Sequence, residues 1–229
     1  YVFHESGTLV SGIIGGLYSS TATISVLARK SRKASEQEAT DYVAAMLLAV
    51  SMMFLRFMIL ILIFSREIFL SIYPYLLTMA VVAAIVAWFI HSRQKRPEDQ
   101  PAETEEDDSS NPLEFKVALI FAVLFVIFTF LTHYTLVYAG TGGLNLLSFV
   151  SGFSDITPFI LNLLQNTGSV AALIITACSM QAIISNIMVN MFYALFFAGK
   201  GSKLRPWILG GFGVVTVSYT HLRAHETGR

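Results

Sequence analysis

Apolar residues follow one another through most of this chain in blocks long enough to cross a lipid bilayer. A membrane-spanning helix needs about 20 predominantly apolar residues. Four blocks reach that length, and they cover residues 7–28, 42–64, 68–90 and 115–138. Residues 169–198 form another continuous block, and residues 207–217 contain the beginning of one more. This pattern predicts an all-α integral membrane protein.

One further apolar segment is interrupted. Residues 143–165 are long enough to cross a membrane, but Gly152, Asp155 and Pro158 break the apolar run. Irregular backbone at membrane depth is tolerated only where protein buries it or where it lines a cavity. We therefore expect a polytopic helix bundle of about six to seven apolar segments, with a broken or re-entrant segment near 143–165.

Composition supports a membrane protein and excludes two other classes. Of the 229 residues, 55% are hydrophobic and 13% are charged, which is too little polar surface to cover a soluble globule. The net charge is zero, so the chain lacks the basic footprint of a nucleic-acid-binding protein. The single cysteine, Cys178, cannot build a disulfide framework. The partner that composition predicts is the lipid bilayer.

Basic residues mark the loops that we expect in the cytoplasm, where such loops are retained. Three loops are basic, at 29–41, 91–112 and 199–206. The first of them follows the first apolar segment, which places the N-terminus outside. A full crossing by residues 143–165 would also place the third basic loop outside, whereas a re-entrant segment returns all three to the cytoplasm. The charge pattern therefore favours the re-entrant path.

Outside the apolar segments the chain contains a long linker and an atypical end. The loop at about 93–112 combines prolines with acidic residues, which predicts a disordered linker more readily than a cation cage. We treat residues 1–217 as a single polytopic membrane domain. The chain begins at Tyr1 without a signal peptide, which indicates a fragment of a longer protein. Residues 218–229 have the composition of a foreign or unstructured tail.

Small residues in the first two segments predict a close helix contact. Gly12, Gly16 and Ser20 recur at every fourth position and form one stripe on a helix. Ala45 and Ala49 form a second stripe in the next segment. Helix backbones approach closely in a membrane where such small residues face each other. We therefore assign helix packing to Gly12, Gly16, Ala45 and Ala49.

A cluster of hydroxyl residues overlaps the glycine stripe, and it has two interpretations. Its members are Ser19, Ser20, Thr21 and Thr23. Serine and threonine in membrane helices routinely donate to a carbonyl one turn earlier, which is a purely structural role. The same cluster could instead form a polar site beside an interruption of the helix. The sequence leaves both interpretations open.

Two formal charges lie deep in apolar sequence, and we expect them to be coupled. A lone charge at the centre of a membrane helix costs about 2.5–3.5 kcal/mol, so Arg56 and Asp155 need partners or water. They could pair with each other, or Arg56 could reach the interface while Asp155 caps a half-helix. Asn186 and Asn190 share one face of a later helix, where amides either join helices or line a pathway.

A weak internal repeat relates the two polar regions. Residues 16–22 align with residues 152–158, and each stretch precedes a long apolar helix that carries polar side chains. Paired broken helices bring backbone groups and polar side chains together in transporters. The predicted polar intramembrane site consists of Ser19, Ser20, Thr21, Thr23, Arg56, Asp155, Thr157, Asn186 and Asn190.

The sequence favours neither an enzyme nor a cofactor. Gly152-Phe153-Ser154 begins like a nucleophile turn, but Asp155 follows where that turn has glycine. His133 is the one histidine at membrane depth, and the others lack paired metal-ligand spacing. No glycine-rich phosphate loop is present. We expect no enzymatic activity and no cofactor, and the sequence does not identify a metal site.

Several short motifs together resemble one bacterial membrane family. Residues 15–23 read Gly-Gly-Leu-Tyr-Ser-Ser-Thr-Ala-Thr. The further elements are Met53 with Arg56, Asn111-Pro112, Ser151-Gly152-Phe153-Ser154-Asp155 and Ser185-Asn186. Over nearly its whole length the chain resembles the domain of unknown function family number 4010, the C-terminal half of MgtC/SapB-type proteins. It departs from that family at Thr157 and Pro158, where the family has Asp then Ala, and at Asn190, where the family has Lys.

The resemblance implies a location and a loose function. It implies a multi-pass protein of the bacterial inner membrane, with an N-terminal MgtC-like domain outside this fragment and an association with magnesium homeostasis or transport. Our leading hypothesis is a transporter-like or ion-handling domain of unknown substrate. The alternative is a regulatory module that binds another membrane protein, or a second copy of itself, through its glycine and alanine stripes and transports nothing.

Overall fold

The structure is a computed structural model that describes residues 7–32, 34, 36–92, 112–153, 155–166, 170–198 and 208–214. Its helices are α1 Gly7–Ser31, α2 Glu36–Phe64, α3 Arg66–Ser92, α4 Pro112–Ser151, α5 Ile156–Gln165 and α6 Ala172–Ala198. Residues 208–214 are also helical, and residues 199–207 lie outside the described ranges. The described ranges contain no strand, which confirms the all-α class.

The long helices form where the sequence is continuously apolar. Four of the described helices are long and apolar enough to cross a membrane: Gly7–Ser31, Ala39–Phe64, Arg66–Ser92 and Ala172–Ala198. Three shorter apolar helices are Phe125–Gly140, Gly142–Ser151 and Ile156–Gln165. The expected total of six to seven segments stays a prediction. Of the predicted linker at about 93–112, residues 93–111 lie outside the described residues, and Pro112 is instead the first residue of α4. The predicted tail at 218–229 also lies outside the described residues.

Helix α4 is broken at a glycine. Gly140 has φ 58° and ψ −148°, a backbone conformation that a residue with a Cβ rarely adopts. The break separates the first part of α4, residues 112–140, from a second helix, Gly142–Ser151. The predicted segment 143–165 therefore corresponds to the end of α4 together with α5.

The chain forms two compact units. Unit one comprises residues 1–63, 69–102 and 187–229, and unit two comprises residues 64–68 and 103–186. In unit one, Ser51 of α2 donates to the carbonyl oxygen of Ala80 in α3 at 2.9 Å. In unit two, Phe128 of α4 packs against Phe159 of α5, with ring centroids 5.6 Å apart.

Large apolar side chains are exposed on several helices. Trp88, Tyr138 and Leu173 are 70%, 82% and 80% exposed. A soluble protein rarely exposes large contiguous apolar patches, but a lipid bilayer solvates such side chains. The exposed surface therefore supports a membrane environment, as the composition predicts.

Two contacts bring the beginnings of the basic loops to one end of unit one. The Arg29 guanidinium lies 4.4 Å from the ring centroid of Phe197, so the ends of α1 and α6 are close. His91 Nδ1 lies 2.7 Å from Asp41 Oδ1, so the end of α3 meets the beginning of α2. Helices α1, α3 and α6 thus end, and α2 begins, at the same end of this unit.

Candidate functional site

Helix α1 is interrupted at Ser19, inside the hydroxyl cluster. Ser19 has φ −156° and ψ 108°, an extended conformation that divides α1 into half-helices at 7–18 and 20–31. The Ser19 hydroxyl accepts a hydrogen bond from the backbone N–H of Ala22 at 3.4 Å. A side-chain oxygen that satisfies a free N–H in this way is typical of a helix N-cap. Ser19 therefore begins the second half-helix.

The chain reverses direction at Ser19. A Cβ placed on Gly15 would meet the side chain of Thr23, on the other side of the interruption. In a continuous helix residues eight positions apart are separated by about 12 Å along the axis. The contact is possible only if the two half-helices fold back on each other, and we call residues 7–31 hairpin one.

Contacts with α2 establish the same reversal independently. Gly12 lies against Ala45 and Gly16 lies against Ala49, so the first half-helix runs parallel to α2. If the second half-helix continued in that direction, Ser31 would end level with residue 64, about 42 Å from the beginning of α2. The connection to Glu36 spans at most about 18 Å. The second half-helix must therefore run back toward the beginning of α2.

The reversal exposes backbone carbonyls, and Arg56 binds them. The first half-helix ends at the interruption, so its last carbonyl oxygens have no helical N–H to accept from. Arg56 Nη1 donates to the carbonyl oxygen of Tyr18 at 2.6 Å and to that of Leu17 at 3.4 Å. A guanidinium near a helix C-terminus also interacts favourably with the helix dipole. Arg56 thus stabilises the tip of hairpin one.

The hydroxyl residues divide between the two roles that the sequence left open. Thr23 donates to the carbonyl oxygen of Ser19, and Ser25 donates to that of Thr21, both at 2.8 Å and one turn earlier. Ser20 is 4% exposed and instead donates to the sulfur of Met53 in α2 at 3.3 Å. Thr23 therefore has the structural role, whereas Ser19 and Ser20 belong to the interruption itself.

A second interruption lies between α4 and α5. Helix α4 ends at Ser151 and α5 begins at Ile156. Asp155 is the N-cap of α5, and its Oδ1 accepts from the backbone N–H of Thr157 at 2.9 Å. The capping alternative predicted for Asp155 is therefore observed, and we call residues 142–165 hairpin two.

Hairpin two also reverses direction. Its first half-helix runs parallel to α6, because Cys178 Sγ lies 3.5 Å from Asn145 Oδ1 while Ser185 donates to the carbonyl oxygen of Phe149 at 2.6 Å. If α5 continued in that direction, Gln165 would end level with residue 198, about 39 Å beyond the beginning of α6. The connection from Gln165 to Ala172 spans at most about 25 Å. Helix α5 must therefore run back.

Two adjacent side chains of α6 bind the carbonyls at this second tip. Ser185 binds the Phe149 carbonyl, and Asn186 Nδ2 donates to that of Gly152 at 3.1 Å. Gly152 lies so close to Ser185 and Asn186 that an added Cβ would overlap them. The sequence predicts Asn186 but not Ser185 as a site residue, and the signal that points to Ser185 is the Ser185-Asn186 motif of the family resemblance.

The two hairpins correspond position by position, as the weak repeat predicts. Gly16 and Gly152, which align, each lie against the long helix that follows. Ser19 and Asp155, which also align, are each the cap of the second half-helix. A polar side chain of the long helix binds the carbonyls at each tip, and that side chain differs between the repeats.

The structure distributes the predicted site over both units. Ser19, Ser20 and Arg56 meet at the tip of hairpin one. The corresponding residues at the tip of hairpin two are Asp155, Thr157 and Asn186. Asn190 is fully buried one turn beyond Asn186 and falls in unit one, and Thr21 contributes a carbonyl to Ser25. The predicted coupling of Arg56 with Asp155 stays a prediction.

The polar groups at the two tips are backbone carbonyls, hydroxyls, an amide, and one charged side chain at each tip. Within the described ranges, no group of three or more His, Cys, Asp or Glu side chains could hold a metal ion. Such a collection can coordinate or orient a small polar solute.

The chain is similar to proteins that have no described activity. Residues 1–198 match the model of the family described as Domain of unknown function (DUF4010). An uncharacterized protein of Aquifex aeolicus (strain VF5) is 24% identical over 208 residues, which are 88% of this chain and 87% of that protein. No solved structure matches the chain.

Proposed function

We propose that this chain, which belongs to the DUF4010 family, is a transporter-like membrane domain that handles ions. One observation supports this proposal above all. Each of the two interrupted helices places a polar tip about midway along a long apolar helix, beside Met53 in α2 and beside Ser185 in α6. Apolar length puts these positions at membrane depth.

Broken helices at membrane depth have a known physical use. Their free N–H and carbonyl groups are expensive in lipid, so they persist where protein buries them or where they line a hydrated cavity. In secondary transporters, pairs of such helices supply backbone and side-chain ligands near the bilayer midplane. The two tips described above have that composition, and ion handling is the function that it favours.

We also propose a cellular location for the domain and the absence of catalytic activity. We place the domain in the bacterial inner membrane as a multi-pass protein, without enzymatic activity. The link to MgtC/SapB-type proteins, an N-terminal MgtC-like domain and a role in magnesium homeostasis are parts of the same proposal. They rest on the motif resemblance, and magnesium is therefore one ion among those to be tested.

The alternative of a regulatory module loses part of its basis. That hypothesis relied on glycine and alanine stripes that would bind another membrane protein. Gly12 and Gly16 are buried and lie against Ala45 and Ala49 of the same chain. These stripes are therefore occupied, and a partner would have to bind elsewhere.

Purified protein in liposomes would test transport directly. We would measure flux of Na⁺, K⁺, Mg²⁺, protons, chloride and phosphate, and repeat the measurement with Asp155→Asn. Asparagine is as good an N-cap as aspartate, so this change removes the charge and keeps the cap. We expect flux to fall at least tenfold, and any loss of thermal stability in detergent to come from the missing charge and not from the cap.

Asp155→Ala is the matched control, because it removes the cap as well as the charge. Loss of an N-cap costs about 1 kcal/mol, so this variant should lose both flux and stability. Absence of flux for every ion with the unmodified protein, together with a stable co-purifying membrane protein, would favour the regulatory module. Undiminished flux with Asp155→Asn would remove Asp155 from the site.

A further inference from the structure

We infer that α1 does not cross the membrane but enters and leaves it on the cytoplasmic side. This path of the chain does not depend on whether the domain transports ions. It reverses the expectation that residues 7–28 cross fully and that the N-terminus lies outside.

Each half-helix of hairpin one is too short to cross a membrane. The half-helices of hairpin one contain about 12 residues each and are about 18 Å long, whereas the hydrocarbon core is about 30 Å thick. Neither half can cross alone, and the fold-back at Ser19 prevents them from adding their lengths. Apolar length alone makes α1 a candidate span, but its geometry makes it re-entrant.

The side of entry follows from the contacts at the end of unit one. The second half-helix ends at Ser31, beside the basic loop that begins with Arg29 and Lys30. The contact between Arg29 and Phe197 and the contact between Asp41 and His91 gather the beginnings of all three basic loops at this end. Basic loops are retained in the cytoplasm. Hairpin one therefore opens to the cytoplasm, and Gly7 lies on that side.

A disulfide across the interruption would test the fold-back itself. In a Cys178→Ala background, we would introduce Gly15→Cys with Thr23→Cys and oxidise the folded protein in membranes. We expect a bond between the two cysteines, detected by mass spectrometry of the digested chain. The matched control is Met52→Cys with Leu60→Cys, also eight positions apart but on the uninterrupted α2, where no bond should form. A folded protein without the Gly15–Thr23 bond would overturn the inference.

Labelling with a membrane-impermeant maleimide would test the side of entry without disturbing the tight contact at Gly15. We would compare single cysteines at Thr8, at Ala34 as the marker of the cytoplasmic end, and at Ser65 between α2 and α3 as the marker of the outer side. In intact cells only Ser65→Cys should react, whereas in inside-out vesicles Thr8→Cys and Ala34→Cys should react. A Thr8→Cys protein that reacts in intact cells, as Ser65→Cys does, would show that α1 crosses.

Discussion

Individual residues in this protein act through backbone contacts more than through side-chain pairs. Arg56, Ser185 and Asn186 all donate to main-chain carbonyls, and Ser19 and Asp155 accept from main-chain N–H groups. Each of these bonds satisfies a group that the end of a half-helix leaves free. These five polar residues in apolar sequence therefore help to make the interruptions possible.

Gly16 provides the first prediction at this scale. A Cβ at this position would overlap the backbone of Ala49, which cannot move aside as a flexible side chain could. We expect Gly16→Ala to destabilise the protein by about 1–3 kcal/mol, and Gly16→Leu to reduce the yield of folded protein further. Thermal unfolding in detergent would measure the loss.

Gly210→Ala is the control for Gly16, because nothing lies within 4 Å of an added Cβ at that position. Gly210 lies in the helix at 208–214, so alanine there should be neutral or slightly stabilising. Equal stability of Gly16→Ala and the unmodified protein would show that the close contact with α2 is not formed in solution.

At the scale of elements, the protein is built from long helices and interrupted ones. The long helices are continuous apolar sequences, whereas α1, α4 and the connection to α5 contain a residue that stops the helix. In α1 and before α5 that residue caps the next half-helix, and in α4 it is a glycine with positive φ. Mutation of that residue can therefore test the cause of each interruption separately.

Gly140 provides the prediction at this scale. Nothing lies within 4 Å of an added Cβ, so Gly140→Ala tests the backbone conformation alone. We expect a loss of about 1–3 kcal/mol, because alanine rarely adopts this conformation. Gly142→Ala, two positions later, also has free space around the added Cβ and no positive φ, and it should be neutral or stabilising. Equal stabilities of the two variants would argue for a continuous α4.

At the scale of the whole molecule, the two deep charges provide the remaining prediction. Each has local backbone partners, Arg56 at one tip and Asp155 at the other. If the charges are also coupled, removal of one should destabilise more than removal of both, because a single deletion leaves an uncompensated charge in a low-dielectric site. We would compare Arg56→Gln, Asp155→Asn and the double variant by thermal unfolding. Strictly additive losses would exclude the coupling.

The amino-acid sequence by itself determined the class of this protein and its polar positions. Apolar blocks of about 20 or more residues can satisfy their backbone in lipid only as helices, so the all-α membrane class follows from hydrophobicity alone. Short motifs were enough to identify the DUF4010 family, which the match over residues 1–198 confirms. The break near 152–158 followed from glycine, aspartate and proline within an apolar run.

Only the tertiary structure decided that α1 folds back on itself. Its 25 residues are as apolar as a crossing helix needs to be, and serine at position 19 is compatible with a continuous helix. The reversal depends on contacts between distant positions, such as Gly15 with Thr23 and Arg56 with Tyr18. Hydropathy measures whether each residue prefers lipid or water. A folded hairpin and a straight span both prefer lipid, so hydropathy cannot distinguish them. The difference between the two structures lies entirely in packing.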